Sequence, residues 1–293
     1  MSKGGAGTAR RNEREAPQYV RSLPDPRLSV LPSGWQGHGA RVCIIDTGCE
    51  PFSPIRRGIR NEDVRDFVNP LGHALDESPD RHGTTVASII RQYAPAVTLG
   101  VAKVGVGPNV DLEATLQALR WARDEWGAHV VNLSLGFHGC RMGTCSVCTQ
   151  ANSLVRQGIV VVAAAGNYNS NVPRSSELTC PARASRVVAV GAVDESGAFA
   201  AYNISETNGL AKPNILAPGT IKLAAGETFT GTSFAAPVVT AAIAALGQRM
   251  GYTNAVDLLV STASETVKVP GAGGWSRYGV MDFARAWEVA SSG

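Results

Sequence analysis

The sequence contains no run of about 18 apolar residues, the length a membrane-spanning helix requires. Its longest apolar-rich stretch, residues 235–246, is broken by Pro237 and Thr240. The charged N-terminus lacks the apolar segment of a secretory signal. Charge is sparse and nearly balanced, with 27 Lys and Arg against 24 Asp and Glu. A net charge of +3 supplies no long basic stripe for nucleic acid. Only 17% of residues are charged, alongside 32 glycines and 16 prolines, which excludes a coiled coil. Hydrophobic residues at 44% exclude a disordered chain. These absences predict a monomeric, cytoplasmic protein with neither a membrane nor a nucleic-acid partner. In a reducing compartment the six cysteines are thiols or metal ligands more readily than bridges.

At 293 residues the chain can bury one large α/β core. Residues 1–30 read as an N-terminal arm, flexible or inhibitory, and residues 31–293 as one domain. Apolar runs at Arg41–Asp46, 97–104, 129–133, 159–165 and 187–193 read as buried parallel strands, because they do not alternate with polar residues. Helical patterns fall at His82–Tyr93, 112–126, 148–157 and 233–249, with shorter ones at 255–262 and 283–289. This alternation predicts an α/β fold with three layers, αβα, around a mostly parallel central sheet. Ligands of such sheets bind beyond the carboxyl ends of the strands, so polar residues there are the ones to inspect.

Three such residues stand out. Asp46 ends a strand and is followed by Thr47 and Gly48. His82 opens a helix in the run His-Gly-Thr, and Ser233 opens another in Gly-Thr-Ser-Phe-Ala-Ala-Pro. Taken singly, each has a plainer job as a turn or capping residue. Taken together, they can meet at one sheet edge. An imidazole can then take the proton of the serine hydroxyl while a buried carboxylate holds the ring's tautomer and supports its positive charge. Such chemistry also needs a donor for the oxyanion. Asn167, at the end of the apolar strand run, offers a carboxamide N–H for that purpose.

The motifs IIDTG (44–48), HGTTVA (82–87), VVNLSLG (130–136), VVVAAAGN (160–167) and GTSFAAPVV (231–239) resemble those of the subtilisin-like serine proteases, in the family's order. VVAVGAV (187–193) and the stretch 279–284 are weaker matches. The resemblance implies the subtilisin-like αβα fold and an acyl-enzyme serine endopeptidase acting on an extended peptide or protein, with no required cofactor. It implies Asp46 as orienting acid, His82 as general base and acid, Ser233 as nucleophile and Asn167 as oxyanion donor; the Asp, His, Ser order is the family's own. It further implies that Ser134, Leu135 and Gly136, with Lys103, Val104 and Gly105, form the edges that pair with substrate. Ala163, Ala164, Ala165 and Gly166 then line the pocket for the side chain before the cleaved bond, and their small size leaves room for a large one. Cys180-Pro181 falls where the family often has a cis-proline turn.

The chain departs from the family pattern in four places. Thr85 stands where a second histidine is usual, which leaves the triad untouched. Residues 87–97 are too few and too poor in acids for the calcium loop that relatives often carry after the catalytic histidine, so no calcium is expected there. About 45 residues precede Asp46, fewer than a folded pro-domain needs, and residues 16–32 could lie across the site as a short inhibitory stretch. The insertion 137–149 carries Cys140, Cys145 and Cys148, with Cys180 in another loop. A structural zinc at these four cysteines, a bridge such as Cys140 with Cys148, and plain thiols all remain open. Cys43 and Cys49 read as buried structural residues, and Trp121 and Trp126 as core. His38, His73, His129 and His138 show no partner pattern. Three activities fit the residues: hydrolysis, leader-peptide processing or peptide ligation and macrocyclisation on the same acyl-enzyme, and an inactive peptide-binding groove.

Overall fold

The structure, a computed structural model, describes residues 35–50, 54–139, 143–168, 178–204, 212–223, 226–271 and 274–292. The expected N-terminal arm and Cys140 lie outside the described residues. Strand β1 (Arg41–Asp46) is almost wholly buried, and its side chains alternate between two apolar layers. Val42 and Ile44 enter one layer, Cys43 and Ile45 the other. A strand apolar on both faces has to be covered on both.

The elements follow in chain order. After β1 come α1 (Pro54–Arg57), β2 (Val64–Asp66), α2 (His82–Tyr93) and β3 (Thr98–Lys103). A small hairpin, β4 (Gly105–Val106) and β5 (Asn109–Val110), precedes α3 (Leu112–Asp124), β6 (Val130–Leu133), α4 (Ser146–Arg156), β7 (Val160–Ala164) and β8 (Val188–Val193). β9 (Ile215–Pro218) and the hairpin β10 (Thr220–Lys222) and β11 (Thr228–Thr230) lead into α5 (Thr232–Met250) and α6 (Tyr252–Ser261). The chain closes with β12 (Ser264–Gly271), β13 (Gly274–Val280) and α7 (Phe283–Ser292).

Nine strands form the main sheet in the order β12-β13-β9-β8-β7-β6-β1-β3-β2. All neighbours are parallel except β12 with β13. Residues of α2 and α5 enter one apolar layer and residues of α3 and α4 the other, which gives the expected three-layer αβα architecture. The parallel register brings the carboxyl ends of β1, β3, β6 and β7 to one edge. Among the described residues, no helix is long and apolar enough to cross a membrane.

The sequence pattern missed β9 and the β12–β13 hairpin. β9 is four residues ending in proline, and the hairpin strands carry charges, a proline and glycines, as an antiparallel sheet edge tolerates. α4 begins at Ser146, two residues before the expected start, and Cys145 takes its N-cap.

α5 is buried on nearly every side, as a helix apolar all round has to be. Pro237 lies inside it. A proline has no N–H for the carbonyl four residues back, here that of Ser233. The Ser134 hydroxyl donates to that carbonyl instead, at 2.7 Å. A side chain from the end of β6 thereby holds the backbone of the residue proposed from sequence as nucleophile.

Candidate active site

The first turn of α2 is built from outside the helix. Its N-cap, Arg81, has the left-handed conformation (φ 50°) and makes no side-chain cap. A non-glycine residue in that region is uncommon and marks a local constraint. The first three helical amides have no intrahelical acceptor, and each finds one elsewhere. His82 N–H donates to Ser78 Oγ at 2.8 Å, Gly83 N–H to Thr47 Oγ1 at 2.9 Å, and Thr84 N–H to Asp76 Oδ2 at 2.8 Å. Gly83 has to be glycine, because a Cβ there would stand 2.2 Å from the Gly48 carbonyl oxygen. The start of α2 is thus pressed against the end of β1, and His82 against Asp46.

His82 Nδ1 and Asp46 Oδ1 are 2.7 Å apart. Asp46 is 2% exposed and the His82 side chain 18%, so the carboxylate is shut away while the ring still meets solvent. Asp46 Oδ1 also accepts the Thr47 amide at 2.8 Å. Burial opposes a charge on His82. The carboxylate of Asp46 outweighs it, by charge and by hydrogen bond, with help from Asp80 and Asp76, and the imidazole pKa is pushed up to about 9.

Ser233 lies in the first turn of α5, whose N-cap is Gly231 without a side-chain cap. Ser233 is therefore not the capping residue that its position alone suggests. Its neighbour Phe234 packs against the His82 ring with centroids 5.5 Å apart, which brings the two helix starts together. The Ser233 hydroxyl itself donates to the Ser134 carbonyl at 3.0 Å. Asn167 is turned by Thr232, whose amide and hydroxyl both donate to its Oδ1, at 2.9 and 3.1 Å. That leaves Nδ2 as a donor, and it sits against Gly231, 3.2 Å from where a Cβ would stand.

Asp46 and His82 open on a pocket of about 440 Å³. Pro79, Asp80, Gly107, Pro108 and Val110 line it, facing Ser134, Leu135 and Gly136. Of the expected substrate edges, Ser134–Gly136 is at the pocket. Lys103, Val104 and Gly105 do not line this pocket, and Gly107, Pro108 and Val110 do. Lys103 is 3% exposed, with its ammonium bound to the Leu75 carbonyl and to Glu77. Val104 N–H is taken by the Asp46 carbonyl, and Gly105 pairs with Val110. Ala163–Gly166 is buried and does not line this pocket. Thr179 packs between Gly136 and Gly166. Its Oγ1 lies 2.4 Å from a Cβ placed on Gly136, and its Cγ2 lies 2.8 Å from one on Gly166.

Several contributors were not singled out from sequence. Asp76, 1% exposed, accepts from Thr47 Oγ1, Ser78 Oγ and Thr84 Oγ1, at 2.9, 2.6 and 2.7 Å, besides the Ser78 and Thr84 amides. The only local signal is an Asp two residues before a Ser, a common turn pattern. Replacing Asp76 by Asn turns one acceptor into a donor facing donors. Asp76→Asn is expected to cost about 3 kcal/mol in denaturant unfolding. Unchanged stability would contradict that role.

Sulfur atoms of Cys145, Cys148 and Cys180 lie within 4.8 Å of one another. Cys43 is buried in β1, and burial pushes its thiol well above the usual range. Cys49, Trp121 and Trp126 are buried. His129 does have partners: it accepts the Arg41 amide at 3.1 Å and stacks on Tyr252. His38, His73 and His138 are exposed. The Cys180–Pro181 bond is cis.

Comparison with known proteins gives the same fold. Alkaline elastase YaB of Bacillus sp. (strain YaB) is 32% identical over 233 residues, covering 73% of this chain and 55% of the elastase. The major intracellular serine protease of Bacillus subtilis (strain 168) is 28% identical over 251 residues, covering 78% of this chain and 74% of that protein. The match therefore takes in little more than half the length of the first of these relatives. The solved structure of the prenylagaramide maturation protease PagA has a similar fold, with a TM-score of 0.66 at 24% identity, over 86% of this chain and 94% of that one. The family model described as the subtilase family, Peptidase S8, matches residues 37–279, and the chain belongs to that family of serine proteases.

Proposed function

We propose that the chain hydrolyses peptide bonds through an acyl-enzyme, with Ser233 as nucleophile, His82 as general base and acid, Asp46 as the orienting acid and Asn167 as oxyanion donor. The observation that carries this reading is the 2.7 Å contact between a buried Asp46 and a solvent-reachable His82 at the mouth of a pocket. For reaction, the Ser233 hydroxyl leaves the Ser134 carbonyl and turns to His82 Nε2. His82 takes its proton as Oγ attacks the peptide carbonyl. Asn167 Nδ2 and the Ser233 amide hold the oxyanion. His82 then gives the proton to the leaving amine, and water, deprotonated by His82, releases the acid. No step needs a cofactor; a metal at the cysteine cluster would be structural.

The substrate on this reading is an extended peptide lying between Leu135 and the Gly107–Pro108 turn. Asp80, with Pro79, adds an acidic spot to an otherwise apolar wall. Thr179 narrows the space for the side chain before the cleaved bond, so small residues are preferred there. Residues 31–293 act as one domain, as a cytoplasmic monomer without a membrane or nucleic-acid partner. Balanced charge and similarity to a relative named an intracellular serine protease support this.

A second reading, maturation of a precursor peptide by cleavage or macrocyclisation, draws on the fold shared with a maturation protease. A peptide-library digest read by mass spectrometry separates the readings. Hydrolysis yields fragments that together carry one added water, and cyclisation yields a ring with none. In the same assay Thr179→Gly is expected to raise kcat/KM for large residues before the cleaved bond by about tenfold. Intact peptides throughout would leave only an inactive binding groove. An unchanged preference would remove Thr179 from the pocket.

A further inference from the structure

We propose that Cys145, Cys148 and Cys180 form a zinc site that ties α4 to the segment behind the substrate pocket. The three residues come from two separate pieces of chain. Cys145 and Cys148 are one helical turn apart, at the N-cap and in the first turn of the 11-residue helix α4. Cys180 is held from the other side by a two-way backbone bridge with Phe137, at 2.8 and 2.9 Å. Their sulfurs converge within 4.8 Å. Zinc–sulfur bonds of about 2.3 Å in a tetrahedron place sulfurs about 3.8 Å apart, so closure requires a shift of about 1 Å or less.

The convergence argues for a metal over a bridge. A disulfide uses two sulfurs and leaves the third crowded against it, whereas a soft divalent ion takes all three. Cys148 and Cys180 are buried and Cys145 is partly exposed, so the site has an entry path. The N-terminus of α4, where Cys145 makes no side-chain cap, favours negative charge on the sulfurs.

Charge supplies a second, independent observation. Zinc displaces three thiol protons to solvent, and the ion with three thiolates carries a net charge of −1. Lys212 is 4% exposed. Its ammonium donates to the carbonyls of Ala182, Ala184 and Val187, at 2.6, 2.5 and 2.8 Å, and lies within electrostatic reach of Cys148. Burial lowers the Lys212 pKa to about 8 and negative charge at Cys148 raises it, so a charged lysine and an anionic cluster favour each other. The fourth coordination position falls to water. Thr179, the neighbour of Cys180, packs against Gly136 of the pocket lining, so the metal braces a pocket wall. The site does not depend on the peptidase reading.

The test uses the full chain purified without added chelator or reductant. Elemental analysis is expected to give one zinc per chain. Cobalt(II) in its place is expected to show thiolate-to-metal charge-transfer absorption. Thiol titration of the native protein should rise by about three groups per chain when a chelator strips the metal. The denatured, unreduced protein should show all six thiols. Cys148→Ser and Cys180→Ser should each weaken zinc binding by at least about tenfold. Should either variant fail to fold, the native thiol count still decides. A metal-free chain whose thiol count a chelator leaves unchanged, even after zinc is supplied, would overturn the site. Fewer than six thiols in the denatured protein would overturn it in favour of a disulfide.

Discussion

Ser233→Ala is expected to lower kcat for peptide hydrolysis by about 10⁶ while leaving the unfolding midpoint close to that of the parent chain. The size of the loss is taken over from subtilisin itself, where removing the serine or the histidine costs about 2 × 10⁶ in kcat; in barrier terms it is roughly 8 kcal/mol. The expectation that folding survives comes from this chain. The Ser233 hydroxyl makes one hydrogen bond among the described residues, to the Ser134 carbonyl. The contact that fixes the helix start uses the Ser233 carbonyl, which the substitution keeps. A residual rate about 10³–10⁴ above water is expected from the oxyanion donors and binding. A variant that loses less than tenfold would show that Ser233 is not the nucleophile.

Asp46→Asn has the next largest effect, and its sign can be argued in two ways. An amide N–H facing His82 Nδ1 favours the tautomer with its proton on Nε2, which then cannot accept from serine. The loss at neutral pH is about 10⁴, as for the same change in another serine protease. The second consequence is in the pH profile. In the proposed mechanism His82 acts as base only when neutral. Burial lowers its pKa, but Asp46, Asp80 and Asp76 raise it to about 9. In the parent chain kcat/KM is therefore expected to climb with pH and level off above about 9. In Asp46→Asn the main opposing charge is gone and burial prevails, so the limb moves down, toward or below the ordinary 6.5. A limb at the same pH in both proteins would separate Asp46 from the titrating group.

The same shift sets a stability window. His82 has a folded pKa above its unfolded one, so its contribution is fully present below about 6.5 and is lost as pH rises through about 9. The contribution is on the order of 3 kcal/mol. The parent chain should lose stability over the range in which its activity rises, and Asp46→Asn should lose little.

How much of this was readable from sequence follows from where each constraint originates. β1, β6 and β7 were legible because burial on both faces forces unbroken apolar runs. β9 was not, because four residues ending in proline carry too little pattern. Asp46, His82 and Ser233 were legible because motif order places them at a strand end and two helix starts. Their support was not. Asp76 reaches Thr47 and Thr84 across 29 and 8 residues of sequence, and Thr232 turns the Asn167 amide across 65. Such pairings exist only after folding. Pro237 lies between the two cases: its effect on the Ser233 carbonyl is local and predictable, but its remedy, the Ser134 hydroxyl, comes from 99 residues away. That the pocket is lined by Gly107, Pro108 and Val110 and not by Lys103–Gly105 was hidden for a similar reason. A buried lysine and a tight two-strand hairpin consume the earlier residues.

The central claim is that the environment of His82 activates Ser233. Treatment of the full chain with a serine-directed fluorophosphonate, followed by mass spectrometry of the digested adduct, tests it most directly. The account predicts one adduct per chain, on Ser233, forming faster as pH rises toward about 9 and absent in His82→Ala. No adduct, or one on another residue while peptides are still cleaved, would contradict it.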